Sequence, residues 1–326
     1  MQLTEIYMNL YQFHSPKILK KYSFFSIGKG DAYFDSLEYN SEINERNKES
    51  VNLLASILKN DSNRAALVLS GSFIELLQSH NPQLIKDIKV ALSTSKITLL
   101  GSTYNLSLAS LFSVELFNEQ VKRHKFLLKK VFDYEPKGFV NTSAIYFDDL
   151  ANLYKNMGFE FVVVPYSSWH LNKRNANQLF FSKDKIIKLI LMGHSSCLLK
   201  YISAPLPSFE SSINDESNQI SFSSILAQET SEKYLVPQPI VDSQLINANS
   251  LWDNPLQKSV INRIKMLEKK VLKRKDENLL LQLSTFTSVD YFKSLTQSKK
   301  DKETRPYDYY ISLMNILSDF EIINRL

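Results

Sequence analysis

The sequence predicts an α/β fold: a parallel sheet, open or closed into a barrel, followed by a C-terminal helical subdomain. Three observations carry this. Short apolar runs recur through the first two-thirds of the chain, separated by amphipathic stretches with helical spacing. That alternation yields a parallel sheet, open or closed. The chain then turns polar and irregular over 203–240, and beyond that stretch its apolar spacing is helical alone. A chain of 326 residues can bury one sizeable core and still carry a smaller appendage. We therefore expect a barrel domain over 1–240, with an irregular loop at 203–240, and a helical subdomain over 241–326.

In order along the chain, strands are expected at Ile6–Phe13, Ala66–Leu69, Ile97–Leu100, Gly138–Asn141, Phe159–Val164 and Ile186–Met192. Each is a short apolar run of strand length. Between them, Ser41–Lys59, Pro82–Ser93, Val114–Val131 and Asp148–Met157 read as helices. The third is clearest: Val114, Phe117, Val121, His124, Leu128 and Val131 step by threes and fours along one face. Ser203–Ile240 is rich in Ser, Asn, Glu and Pro, an irregular connection with one edge strand near Ile220–Ile225. Val260, Ile264, Leu267 and Val271 then mark a helix, and Tyr307–Ile323 another, behind Pro306 at its first turn.

Composition excludes several function classes. A net charge of +5, with Lys interspersed among Asp and Glu, gives no reason to expect a nucleic-acid partner. The basic run Lys265–Lys275 is punctuated by Glu268 and reads as a solvated helix face. Cys197 is the single cysteine, so no internal disulfide or thiolate metal cluster is available. No two histidines have metal-ligand spacing on a helix, so neither metal nor cofactor is expected. The N-terminus lacks a basic region followed by an apolar run, and no apolar stretch reaches bilayer length. The expectation is a cytoplasmic protein with no membrane partner.

In a parallel barrel the chemistry gathers at the carboxyl ends of the strands. Those ends read His14-Ser15-Pro16, Ser70-Gly71-Ser72, Gly101-Ser102-Thr103-Tyr104, Asn141-Thr142-Ser143, Pro165-Tyr166 and Gly193-His194-Ser195-Ser196. The set is rich in hydroxyls and aromatics and holds no Asp or Glu. It can hydrogen-bond and stack on a sugar, but it lacks an ionisable pair for acid–base work. Gly193-His194-Ser195-Ser196-Cys197 partly matches a hydrolase nucleophile elbow. That fold needs its catalytic histidine after the serine, and no histidine follows His194. His124, on an apolar stripe, reads as a satisfied core residue, and His80 as turn chemistry. His14 is the histidine whose position suggests ligand contact.

These strand ends resemble a known family. Tyr11-Gln12-Phe13-His14-Ser15-Pro16, with Tyr22–Gly28 after it, is similar to the N-terminus of the α-amylase-like branch of glycoside hydrolase family 57. Gly101–Leu108 is similar to that branch's Ala-Glu-Thr-Tyr-Tyr-His-Ser-Leu. Phe139–Tyr146 is similar to its Phe-Arg-Asn-Thr-Glu-Leu-Ile-Tyr, and Met314–Glu321 resembles its C-terminal helix. The resemblance implies a (β/α)7 barrel with a helical bundle, and retaining hydrolysis or transfer on α-glucans by a Glu nucleophile and an Asp acid. Carried across, the nucleophile falls on Ser143, an upstream Glu on Ser102 and a His on Leu106. The acid-bearing segment has no counterpart. The substrate-binding positions implied are His14, Tyr104, Asn141, Thr142, Ser143 and Tyr146.

Retaining cleavage needs two carboxyl groups about 5–5.5 Å apart. A serine hydroxyl is neutral and attacks only when an adjacent base takes its proton. Without carboxylates, contacts made in the ground state can persist while those made only in the transition state are lost. The expectation is a catalytically impaired family 57 protein, with no catalytic residue intact, that retains an α-glucan or maltooligosaccharide as ligand. It could also partner a protein such as an active relative. Two alternatives stand beside it. One is an active hydrolase or transferase whose acid is relocated to Asp148, Asp149, Glu210, Asp215, Glu216 or Glu229. The other is an interaction or structural protein without sugar binding.

Overall fold

A computed structural model describes residues 8–35, 41–60, 64–193, 197–203, 222–241, 251–296 and 305–326. The strands among them are β1 (Met8–Phe13), β2 (Ala65–Leu69), β3 (Ile97–Leu99), β4 (Gly138–Val140), β5 (Phe161–Pro165), β6 (Leu179–Phe181), β7 (Lys188–Gly193) and β8 (Leu199–Ser203). Helices α1 (Ser41–Lys59), α2 (Gly71–His80), α3 (Pro82–Ser93), α4 (Val114–Phe132), α5 (Leu150–Asn156), α6 (Ser168–Leu171) and α7 (Phe222–Leu226) alternate with or follow them. The chain ends in α8 (Pro255–Arg274), α9 (Glu277–Thr285), α10 (Val289–Ser294) and α11 (Pro306–Ile323).

Two compact units result. The first comprises residues 1–15, 45–103 and 124–242, and the second 16–44, 104–123 and 243–326. In the first unit seven strands run in the order β3-β2-β1-β8-β7-β5-β4, every neighbouring pair parallel. The two ends of that order meet. Gly101, just past β3, bridges Phe139 of β4: its N–H donates to Gly138 at 2.8 Å and its carbonyl accepts from Val140 at 2.8 Å. Small residues make that approach possible, since a Cβ on Gly101 would lie 2.8 Å from the Phe159 ring. The sheet thus closes into the expected (β/α)7 barrel. β6 hangs outside it, antiparallel to β7.

Alternate strand residues face the helices. Tyr11 and Phe13 of β1, Leu67 and Leu69 of β2, and Ile97 and Leu99 of β3 are buried together with Leu54 and Ile57 of α1 and Phe73 and Leu77 of α2. Burying a side chain of this size contributes about 1.5–3 kcal/mol, so this layer anchors the strands whose far ends carry the polar rim.

The structure adds elements to the sequence reading and corrects one. β8 is the seventh barrel strand, seated between β7 and β1; Lys200 interrupts its apolar run and hides it in the sequence. α2 begins where Gly71 and Ser72 resemble a turn, because Ser70 caps it by accepting the Phe73 N–H at 3.2 Å. The edge strand expected near Ile220–Ile225 is instead helix α7 where it is described. Phe222 and Ile225 lie three apart and both are buried, with Phe222 5.0 Å from the Phe161 ring. Helical spacing of the anchors outweighs their strand propensity.

The second unit is built on α8 and α11. Val260, Ile264, Leu267 and Val271 of α8, and Leu313, Ile316, Leu317 and Phe320 of α11, are all buried. A capping box between Asn254 and Gln257 starts α8. Buried Asp319 accepts hydrogen bonds from the Gly28 N–H at 2.5 Å and the Tyr33 hydroxyl at 2.8 Å, which folds the 16–44 segment onto α11.

Candidate functional site

At the carboxyl end of the barrel, β1 delivers His14. Its Nδ1 lies 2.9 Å from the Ser70 hydroxyl, which follows β2, and Ser72 lies 3.1 Å from Ser70. Ser70 already accepts the Phe73 N–H. The paired Ser70 and Ser72 hydroxyls thus border the His14 ring, which stands half-exposed at the rim.

β3 ends on Gly101, Ser102 and Thr103. The Ser102 N–H donates to Nδ1 of His124 at 3.1 Å, and Nε2 of that histidine donates to the Leu69 carbonyl at 2.8 Å. Both ring nitrogens are satisfied, so His124 is a neutral strut between the ends of β2 and β3. Burial pushes its pKa down to about 4. This matches its reading as a core residue. The hydroxyls of Ser15 and Ser102 are buried without a hydrogen-bond partner among the described residues.

β4 delivers the turn that carries Ser143. Asn141 builds it. Its Oδ1 accepts the Thr142 N–H at 2.8 Å, and its Nδ2 donates to the Ile145 carbonyl at 3.0 Å and to the Tyr154 oxygen at 3.1 Å. The chain must then reverse within three residues, and Ser143 (φ 51°) and Ala144 (φ 52°) both take left-handed backbone. Non-glycine residues avoid that region, and such strain concentrates at functional sites. Ser143 emerges half-exposed, while Asn141, Thr142 and Tyr146 are buried. Tyr146 pairs its backbone with Ile240 in both directions. Its hydroxyl is buried without a partner among the described residues, and burial, followed by the neighbouring Asp148, raises its pKa.

Of the six expected substrate-binding residues, the barrel brings His14, Asn141, Thr142, Ser143 and Tyr146 to its strand ends. His14 and Ser143 present themselves, and the other three frame the turn. Tyr104 belongs to the second unit, where it is buried with the Arg123 guanidinium 3.8 Å above its ring.

No Asp or Glu stands on the strand ends among the described residues. Asp148, the first acid after Ser143, accepts the Val236 N–H with both carboxylate oxygens at 3.1 and 3.2 Å. Asp149 is exposed at the start of α5, and Glu229 is exposed beyond α7. Glu210, Asp215 and Glu216 lie outside the described residues, as do His194, Ser195 and Ser196. Among the described residues, no three His, Cys, Asp or Glu side chains gather as a metal site would require. The rim offers neutral hydroxyls, an amide and an imidazole, which can orient a polyhydroxylated ligand.

The sequence reading placed Tyr166 at a strand end but passed over Trp169, three residues further on. Tyr166, still bonded to β7 through its N–H at 2.8 Å from the Met192 carbonyl, is 41% exposed, and Trp169 of α6 is 87% exposed. The available signal was a tryptophan in a polar run, Ser167-Ser168-Trp169-His170, directly after a strand end.

Fold and rim define a (β/α)7-barrel protein whose polar residues lie at the carboxyl ends of its strands, where barrel enzymes place their chemistry. The chain belongs to glycosyl hydrolase family 57, whose family model matches residues 6–235. It is 30% identical over 127 residues to a curated protein of Methanocaldococcus jannaschii named "Putative alpha-amylase", a match spanning 39% of this chain and 27% of the relative. Among solved structures, a family 57-type branching enzyme from Pyrococcus horikoshii superposes with a TM-score of 0.69 at 11% identity, over 96% of this chain and 88% of that one. The 4-alpha-glucanotransferase of Thermococcus litoralis gives a TM-score of 0.56 at 14% identity, over 89% of this chain and 51% of that chain. The chain thus matches about a quarter of the curated relative's length and about half of the glucanotransferase's. At these identities the structural likeness speaks for the fold.

Proposed function

We propose that this protein binds α-glucans or maltooligosaccharides without cleaving them, and acts in cytoplasmic carbohydrate metabolism as a glucan-binding or regulatory partner of an active relative. The strand ends of the barrel unit (residues 1–15, 45–103 and 124–242) supply the binding rim, and helices α8–α11 belong to the second unit. One observation carries the reading: the strained turn after β4 holds Ser143 where family resemblance places a nucleophilic carboxylate. A hydroxyl cannot supply the charge that an oxocarbenium-like transition state needs. It becomes a nucleophile only beside a base. Among the described histidines, Nδ1 of His14 meets Ser70, His124 bonds backbone, Nδ1 of His170 meets Ser167 and Nδ1 of His80 meets the Leu76 carbonyl. Hydrogen bonding and stacking to the ground state survive such a loss. Among the described residues, no helix is long and apolar enough to cross a membrane.

The test has two arms. Calorimetric titration with maltoheptaose is expected to show saturable binding in the millimolar range or tighter, and incubation with amylose and amylopectin is expected to release no new reducing ends and transfer no branches. Turnover that vanishes on changing a single acid among Glu210, Asp215, Glu216 and Glu229 would overturn the non-cleaving reading. Absence of any binding would overturn the glucan reading.

A further inference from the structure

The most exposed large apolar side chain among the described residues is Trp169, at 87%. It stands on α6, directly after β5, at the same end of the barrel as Ser143. β4 and β5 are neighbours with Val140 opposite Val163, and the 142–144 turn packs on β5. Parallel neighbours lie about 4.8 Å apart, so Ser143 and Tyr166 leave adjacent strands side by side. Trp169 follows Tyr166 by three residues, within about 11 Å even for a fully extended chain.

The turn that displays this indole is braced from several directions. His170 Nδ1 meets the Ser167 hydroxyl at 2.8 Å, and the His170 ring packs edge-on to buried Tyr234 at 6.2 Å. Leu171 is buried beneath the helix. Arg174 donates to the carbonyls of Leu171 (2.8 Å), His170 (3.0 Å) and Lys233 (2.5 Å), and pairs with Glu232 at 3.3 Å. A loose surface loop would let its tryptophan fold down onto the protein. Here the pedestal is fixed while the indole points to water.

We infer that Trp169, with Tyr166, forms a stacking platform for a pyranose ring of an α-glucan chain, extending the ligand site outward from the Ser143 turn. The inference rests on the α-glucan reading above. An indole face offers a flat apolar surface for the C–H face of a sugar, while hydroxyl side chains bind its edges. Ser167 and Ser168 flank the platform. Its chain neighbours are polar or charged (Ser168, Asn172, Lys173), groups that can hydrogen-bond the edges of a stacked sugar. A rigid aromatic anchor on a fixed pedestal also binds at low entropic cost.

The chain holds two tryptophans, Trp169 and Trp252, so W252F leaves Trp169 as the single indole reporter. On titration with maltoheptaose, the W252F protein is expected to shift its emission to the blue and to resist acrylamide quenching. W169A is expected to bind maltoheptaose about tenfold more weakly, and W169F within about threefold of wild type, with unchanged thermal melting in both. Wild-type affinity in W169A, with wild-type binding intact, would overturn the platform and leave the glucan reading standing. No maltoheptaose binding by wild type would overturn both.

Discussion

The hydroxyls of Thr103 and Thr142 lie 2.9 Å apart and tie together the exits of β3 and β4, the two strands at which the barrel closes. Both are buried, just beyond the Gly101–Phe139 bridge, and Thr142 opens the turn that carries Ser143. Closure and site geometry therefore share one contact. Replacing Thr142 by Val is expected to lower stability by about 1–2 kcal/mol, the usual scale for removing one partner of a buried hydrogen bond. In a double-mutant cycle, T103V with T142V should cost less than the sum of the two single changes, because each alone removes the same pairing. Urea unfolding of the four proteins measures this directly, and strict additivity would refute the link.

The strut formed by His124 makes the first unit sensitive to mild acid. Its folded pKa, lowered to about 4 by burial, lies below the unfolded value of about 6.5. Protonation therefore favours the unfolded chain. The neutral strut contributes its full stability above about pH 6.5, and that contribution is lost as pH falls toward about 4. The gap corresponds to on the order of 3 kcal/mol. Urea midpoints should fall between pH 7 and pH 5 in the wild type. In H124Q, which keeps polar groups near Ser102 and Leu69 but cannot titrate, most of that slope should vanish.

Ser143 sits at φ 51°, a conformation glycine adopts freely and a β-branched residue resists. S143G is expected to change stability by less than about 1 kcal/mol, while S143V should lose about 1–2 kcal/mol. S143E restores one carboxylate and no more. Since retaining cleavage needs two, amylose incubated with S143E should yield no new reducing ends. Hydrolysis by that variant would mean that an acid already stands opposite the turn.

How much of this was legible in the sequence depended on what each segment packs against. α1 and α3 were readable to the residue because each has one buried and one exposed face. The strands of the rim were readable because they are buried on both sides and so are continuously apolar. β8 was hidden by Lys200 within its five residues, and α2 by a start, Gly71-Ser72, that looks like a turn until Ser70 caps it. Within the site, His14 and Ser143 were legible from their place after strands. Burial of Asn141, Thr142 and Tyr146 was not, because it depends on the Asn141 side chain folding the turn around itself and on the Ile240 backbone returning to Tyr146. Neither partner can be found by local spacing.

The second unit carries its own acid response, separable from that of His124. Glu321 of α11 receives Arg263 at 2.5 Å and Lys270, both from α8, and so fastens the two long helices of the unit together. Hydrogen bonding from Lys270 pulls its carboxyl below the ordinary value; burial opposes this in part, and Arg263 adds to the lowering. A carboxylate depressed in the folded state contributes stability that is complete above its unfolded pKa of about 4.3 and is lost as pH falls through the folded value. The window therefore opens where that of His124 is closing. E321Q keeps the shape but not the charge. It should weaken the unit at pH 7 and flatten its acid unfolding below about pH 4.3, leaving the slope between pH 7 and pH 5 untouched. Fluorescence from Trp252 in a W169F background follows the second unit and that from Trp169 in a W252F background the first, so the two acid responses can be read separately. An E321Q protein with wild-type acid unfolding would show that the α8–α11 fastener does not set it.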